Sequence, residues 1–224
     1  MRWDSMAVAP LNKFITVAVP VAPGEQTVYT TPVGVSAILL YAQVSNVGVN
    51  TYPTVTFTHR RKSVASKTAG NTRNNRIVKD VEIPPNDSVI LIDGRLVLER
   101  TALISDSIII EGTQVGIVSV YDCQYDNTTG LTTITTYDPH NFITGDEVTM
   151  SGLEFTCPSG SGITTTIFPS PQSSFVVETV GGGGTVFTTY AGKVTGIAHT
   201  YVSGGQVGPL QMEFICSILE NSIV

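Results

Sequence analysis

"MEFICSILE", residues Met212–Glu220, is apolar enough to be a central β-strand, yet it follows a long stretch of polar, glycine-rich sequence. It suits the sheet of the N-terminal half, which otherwise stops at "SIIIEG" (residues 107–112). The reading is that the last strand completes a sheet begun near the N-terminus, and that the intervening chain is an insertion. A larger sandwich then spans residues 14–113 plus 208–224, an inserted β domain spans 114–207, and residues 1–13 form an arm. The flanking "EGTQVG" and "VSGGQVG" are the expected hinge points.

The remaining sequence supports strands throughout. No segment keeps an apolar rhythm at i, i+3, i+4 and i+7 with helix caps. Short alternating or apolar runs recur between Gly, Pro, Asn and Asp. "KFITVAVPV" alternates, and "YPTVTFTHR" sets Val55 and Phe57 against threonines. "VSAILLYAQVSN" reads as a strand buried on both faces. "IVKDVEIPPND" places Ile77, Val81 and Ile83 near one face. "SVILIDGRLVLE" reads as two strands joined at Asp93-Gly94, a common hairpin dipeptide. "SSFVVETVGGGGTVFTTYAG" reads as a hairpin with Gly181–Gly184 at its tip. Frequent Thr and Val suit a pleated, half-buried surface. The fold class is therefore all-β: an antiparallel β-sandwich, jelly-roll-like, with an inserted small β-barrel or β-sandwich.

The chain has 224 residues, enough for a full core. Charged residues are 13% of it, against a usual value of about 25%. Three cysteines, Cys123, Cys157 and Cys216, lack C-x-x-C spacing, which argues against a disulfide framework or a zinc ribbon. The N-terminal residues lack a signal-peptide core, and the longest apolar runs are far short of the ~20 residues of a membrane span. The expectation is a soluble, unprocessed chain with no membrane partner.

Charge is unevenly spread. Residues 1–121 carry 11 Lys/Arg and 9 Asp/Glu, a net +2, while residues 122–224 carry 1 and 9, a net −8. Seven cations, Arg60, Arg61, Lys62, Lys67, Arg73, Arg76 and Lys79, fall in one acid-free stretch, read as a long polar connection. Three readings are open for it: a solvated loop, a subunit contact, or phosphate binding. No aromatics interleave the cations as single-strand binding would favour, so nucleic acid is the least favoured partner. The acidic second half offers the opposite sign to a second copy packed head to tail. Trp3, in the arm with Met6, is a candidate anchor in a partner.

Groups able to do chemistry are sparse. "FITGDEVTMSGLEFTCPSGSG" (residues 142–162) holds Asp146, Glu147 and Cys157. Neighbours on a strand leave on opposite faces, so the two carboxylates cannot share a substrate. Pro158 favours extended backbone at Cys157, and no helix start follows to activate it. The four glycines run into a strand rather than Gly-Lys-Ser/Thr and a helix, so they are no phosphate cradle. Asp138, His140 and His199 are conceivable metal ligands, but a Pro-containing turn explains the first two equally well. The expectation is no catalytic residue, no metal and no cofactor. Two other classes remain: a depolymerase using Asp146 or Glu147, and a carbohydrate-binding receptor module. The latter would need exposed aromatics on the insert, for which Tyr137, Phe142 and Tyr190 are candidates.

Three stretches together resemble a domain of structural proteins of tailed bacteriophages: "QTVYTTPVGVSAILLYAQVSN", "VKDVEIPPNDSVILIDGRLVLE" and "MEFICSILE". Gly34 matches the glycine of the first motif, although Val33 stands where a small residue is usual. Ile83, Pro84, Pro85, Asn86, Asp87, Gly94, Leu96, Val97, Leu98 and Glu99 match the second motif, and Ser217, Ile218, Leu219 and Glu220 the third. The insert, from "YDNTTGLTTITT" to "GIAHTYVSGG", is similar to a module repeated in virion and fibre proteins of marine cyanophages. The resemblance implies a non-enzymatic virion component assembled in the host cytoplasm. Its partners would be other virion proteins and copies of itself, with a host surface glycan a further possibility. A neck or tail position is expected, with a capsid decoration protein or a carbohydrate-binding receptor module of a tail fibre as the alternative.

Overall fold

The computed structural model describes residues 12–63, 71–159, 162–193 and 198–222. Trp3 and Lys67 lie outside the described residues. In chain order the first strands are β1 (Asn12–Pro20), β2 (Gly24–Thr30), β3 (Val35–Asn46), β4 (Thr54–Ser63), β5 (Thr72–Glu82), β6 (Ser88–Glu99) and β7 (Ile104–Thr113). Next come β8 (Val118–Tyr125), β9 (Leu131–Thr136), β10 (Glu147–Ser151), β11 (Glu154–Ser159) and β12 (Gly162–Ile167). β13 (Ser174–Val176), β14 (Thr179–Gly181), β15 (Val186–Tyr190), β16 (Thr200–Ser203) and β17 (Gln206–Pro209) follow, and β18 (Met212–Ser222) is last. The described residues contain no helix.

Two four-stranded antiparallel sheets, ordered β1-β18-β3-β6 and β2-β7-β4-β5, face each other. With β18 counted as an eighth strand, these orders are 1-8-3-6 and 2-7-4-5, the strand order of a jelly roll. Inward-facing Leu39, Phe57, Leu98, Ile108, Ile110, Phe214 and Ile218 are almost fully buried between the sheets. The rings of Phe57 and Phe214 meet across the gap with centroids 6.0 Å apart.

Strands β8 to β17 lie between the seventh and eighth strands of the jelly roll. They form a seven-stranded sheet, β13-β10-β17-β8-β9-β15-β14, and a three-stranded one, β12-β11-β16. A second core collects Ile134, Met150, Phe155, Phe187 and Val207. Buried glutamines tie the two parts together. Gln211 accepts from the Val115 amide at 3.2 Å and donates to the Val115 carbonyl at 2.7 Å, pinning the chain's exit from β17 to its departure from β7. Gln114 donates to the Val21 carbonyl, Gln26 to Pro171 at 3.2 Å, and Ser151 to Pro23 at 2.8 Å.

Several local expectations need correction. Asp93-Gly94 makes no hairpin; β6 runs through it as one strand paired with β3. Between the pairs Leu39↔Leu96 and Tyr41↔Asp93, β6 has two residues against the single Leu40, so Gly94 sits in a bulge. Its φ of 156° is a conformation side chains rarely adopt. The cationic stretch is mostly paired strand, because β4 extends to Ser63 and β5 begins at Thr72. Two register shifts in β5 then turn Val78 and Val81 towards the core and leave Ile77 exposed. β3 is not buried on both faces: Ala37, Leu39, Ala42 and Val44 face the core, while Ile38 and Leu40 are only half-buried.

Candidate functional site

Among the described residues, the groups able to do chemistry are held in local contacts, one of which joins Cys157 to His199. Asp146 closes a turn, accepting from the Ile143 amide at 2.9 Å. Glu147 opens β10, exposed, at the next position. His140 is buried, stacked on Phe142 with centroids 4.6 Å apart, and its Nδ1 accepts from the Phe142 amide at 3.0 Å. Burial holds the His140 imidazole below its ordinary pKa. Cys157 meets His199 Nδ1 through its sulfur, and the His199 ring stacks on Phe168 at 4.7 Å. Burial pushes the Cys157 thiol up and the His199 imidazole down, so this is a neutral thiol–imidazole contact rather than an ion pair. Among the described residues, no three His, Cys, Asp or Glu side chains converge as metal ligands. The Gly182–Thr185 turn satisfies itself, with the Gly184 amide on the Gly181 carbonyl and the Thr185 hydroxyl on that of Gly182.

Three of the six described cations in the stretch pair with the chain's own carboxylates. Arg60 makes a two-pronged contact with Glu25 at 2.6 and 2.5 Å and bonds Asn74 at 2.8 Å. Arg61 grips Asp106 through two bonds of 2.8 and 2.7 Å. Asp106 is fully buried; it also accepts from the Glu99 amide at 3.0 Å and faces His59 Nε2 at 3.4 Å. Burial works to raise the Asp106 carboxyl, but Arg61, the Glu99 amide and His59 outweigh it and hold the group below its ordinary value. Lys79 pairs with its neighbour Asp80 at 3.1 Å. Lys62, Arg73 and Arg76 are exposed and make no ion pair among the described residues. Cations on the edge strand β5 discourage another strand from pairing there.

The opposite sheet differs. Register aligns Phe14 with Leu219, Leu219 with Ile38, and Ile38 with Val97, on the face turned away from the core. Phe14 is 74% exposed and Val97 52%. A second row runs Ala18, Ile215, Gln43 and Ile90, with Ile215 and Ile90 exposed. Among the described residues β1 pairs only with β18, so its other edge is open. A shallow cavity lined by Ala18, Pro20, Ser45 and Ile215 opens at one end of the strands. Strand period assigns these side chains to a face, but only the sheet order reveals that no layer of the described residues covers it.

Of the candidate aromatics on the insert, Phe142 is 6% exposed and packs against Phe187 and His140. It offers no face to a ligand. Tyr190 and Tyr137 are exposed, and Tyr137 meets Tyr121 edge to face with centroids 5.3 Å apart. Tyr121 escapes sequence reasoning because its place depends on how β8 pairs with β9, which neither strand shows alone.

No family model matches the chain, and no curated protein sequence matches it. Among solved structures, it is similar to that of the infectious bursal disease virus Gx strain, at 8% identity and TM-score 0.27, covering 99% of this chain and 45% of the other. It is similar to T=1 particles derived from infectious bursal virus, at 9% identity and TM-score 0.28, covering 100% and 44%. A third likeness, at 9% identity and TM-score 0.24, is to the N-terminal CBM22-1-CBM22-2 tandem domain of Xyn10C from Paenibacillus barcinonensis, covering 94% and 91%. The chain spans under half the length of the viral chains it matches. At TM-scores this low, none of these likenesses transfers a function.

Proposed function

We propose that the chain is a non-enzymatic structural subunit of a tailed-phage virion, assembling in several copies at the neck or tail. The observation that carries this reading is the apolar row Phe14, Leu219, Ile38 and Val97 across the β1-β18-β3-β6 sheet, on the face that no layer of the described residues covers. Contiguous exposed apolar surface rimmed by polar residues is what protein interfaces are made of. A rigid jelly roll presents such a row as a flat, pre-organised contact, so association costs little ordering. The sequence resemblance to phage structural domains supplies the biological setting. Asp146 and His140 each hold a turn by accepting from the Ile143 and Phe142 amides, which favours a structural role for them over a catalytic one.

The experiment has two arms. Light scattering of the purified chain across concentrations is expected to show a discrete oligomer that Phe14→Glu with Val97→Glu converts to monomer. Electron microscopy of intact particles is expected to locate the subunit at the neck or tail. A chain that stays monomeric at high concentration and is absent from virions overturns the reading. A position on the capsid surface overturns the neck or tail assignment.

A further inference from the structure

Between β8, β16 and β17 the insert carries a groove of about 450 Å³, far from the apolar sheet face in sequence and distinct in chemistry. Its walls are tyrosines and its floor is the glycine pair Gly204-Gly205. We propose that this groove binds a neutral hexopyranose unit of a surface polysaccharide, with Tyr121 and Tyr137 as the stacking platform.

Tyr121 is the extra residue of a β-bulge. Val120 pairs with Thr136 and Asp122 with Thr135, leaving Tyr121 with no partner on β9. Bulges re-aim single side chains, often beside binding sites. Here the ring stands out of the sheet, 61% exposed, and meets Tyr137 at an interplanar angle of 83°. Tyr137 is 65% exposed, and its amide donates to the Ser119 carbonyl at 3.0 Å, which fixes the backbone from which the ring projects. One flat ring to cover the C–H face of a pyranose and a second at right angles to wall its edge form an amphipathic L. Large, rigid, amphipathic tyrosines do this at low entropic cost.

Polar groups complete the setting. Ser119 and Gln206 are register partners at the groove, both exposed, and provide a hydroxyl and an amide for sugar hydroxyls. Tyr201 is held by its hydroxyl to the Gly204 carbonyl at 2.8 Å, which keeps the far wall in place. Glycine at 204 is needed because φ is 77° and a Cβ would lie 2.9 Å from the Gly152 carbonyl oxygen. A few convergent polar groups with aromatic walls are what small-ligand clefts share.

Charge selects the class of sugar. Residues 122–224 hold one cation, Lys193, against nine acids. Asp122 and Asp138 adjoin the two tyrosines in sequence, and Glu154 bonds Ser203 at the groove at 3.2 Å. Such a field repels uronic acids, sialic acids and phosphorylated sugars and leaves neutral hexoses.

This inference is independent of the assembly reading, and its test does not involve the apolar face. The intact chain is screened on an array of neutral glucose, galactose and mannose oligosaccharides alongside uronic-acid and sialylated ones. Binding to at least one neutral set is expected and is then measured by titration calorimetry. Tyr121→Ala and Tyr137→Ala should each weaken it roughly tenfold or more, whereas Tyr137→Phe retains it and Tyr52→Ala, at an exposed tyrosine of the sandwich, leaves it unchanged. Melting temperatures of these exposed variants should stay at the parent value. The proposal is overturned by no neutral sugar bound at millimolar concentration, by binding confined to anionic sugars, or by binding indifferent to both tyrosines. A change in oligomeric mass on Tyr121→Ala without sugar binding would make the groove a protein contact and overturn it equally.

Discussion

Arg61→Ala tests the electrostatic centre of the sandwich. The substitution removes both bonds that Arg61 makes to the buried Asp106 carboxylate, leaving it the Glu99 amide at 3.0 Å and His59 at 3.4 Å. Stranding one member of a fully buried pair costs about 3–5 kcal/mol. Arg61 is 39% exposed, so solvent already screens part of the interaction, and two partners remain. The expected loss is therefore about 2–3 kcal/mol, or roughly 5–10 °C in Tm for a chain of this size. Urea titration with linear extrapolation reads it directly.

The pH dependence separates electrostatics from lost packing. In the parent, Asp106 is held below its ordinary pKa. The stability it contributes is thus present above about pH 4, the unfolded carboxyl value, and is lost as pH falls through the lower folded value. Without Arg61, burial is opposed only by the Glu99 amide and His59, and the carboxyl moves upward. The variant then takes up its proton earlier and is relieved of the buried charge. Parent and variant should converge as pH falls from 7 to 3. A loss below about 0.5 kcal/mol at pH 7, the size of an ordinary surface substitution, would refute the reasoning. So would a gap that stays constant with pH.

Two further outcomes follow from burial. Phe142→Ala should cost about 3–5 kcal/mol as a core cavity, while Tyr190→Ala should stay within about 0.5 kcal/mol; equal effects measured by urea melts would contradict their different exposure. Burial raises Cys123 to about 12 and Cys216 to about 11, and lifts Cys157 as well. Iodoacetamide at pH 8 should leave all three unmodified in the native chain and label all three after denaturation, by mass spectrometry. Rapid native labelling of Cys157 would mean that its contact with His199 yields thiolate.

The division between what sequence shows and what it hides runs through particular residues. All-β character is legible in the alternation of "KFITVAVPV" and "YPTVTFTHR", because pleating has a period of two and each strand carries its own record of it. "MEFICSILE" reads as a central strand from its apolar content, and β18 pairs on both sides, with β1 and β3. The glycine-tipped turn at 181–184 is equally local, since the positive φ angles of Gly182, Gly183 and Gly184 call for that residue. Asp93-Gly94 misleads because the same dipeptide serves a hairpin or a bulge, and only the partner strand chooses between them.

The functional surfaces depend more heavily on tertiary structure. The seven cations are visible in sequence, but that Arg60 reaches Glu25 and Arg61 reaches Asp106 depends on β2 and β7 being aligned beside β4 by long-range register. Phe14 and Val97 are ordinary strand residues until two intervening strands place them in one row, exposed among the described residues. Tyr121 is aimed outward by a one-residue mismatch between β8 and β9, which neither strand encodes alone. Composition and alternation therefore determine that the chain forms strands and which side chains can share a face. Pairing partners determine which faces remain open to other molecules, because the free energy of covering a surface belongs to residues distant in sequence.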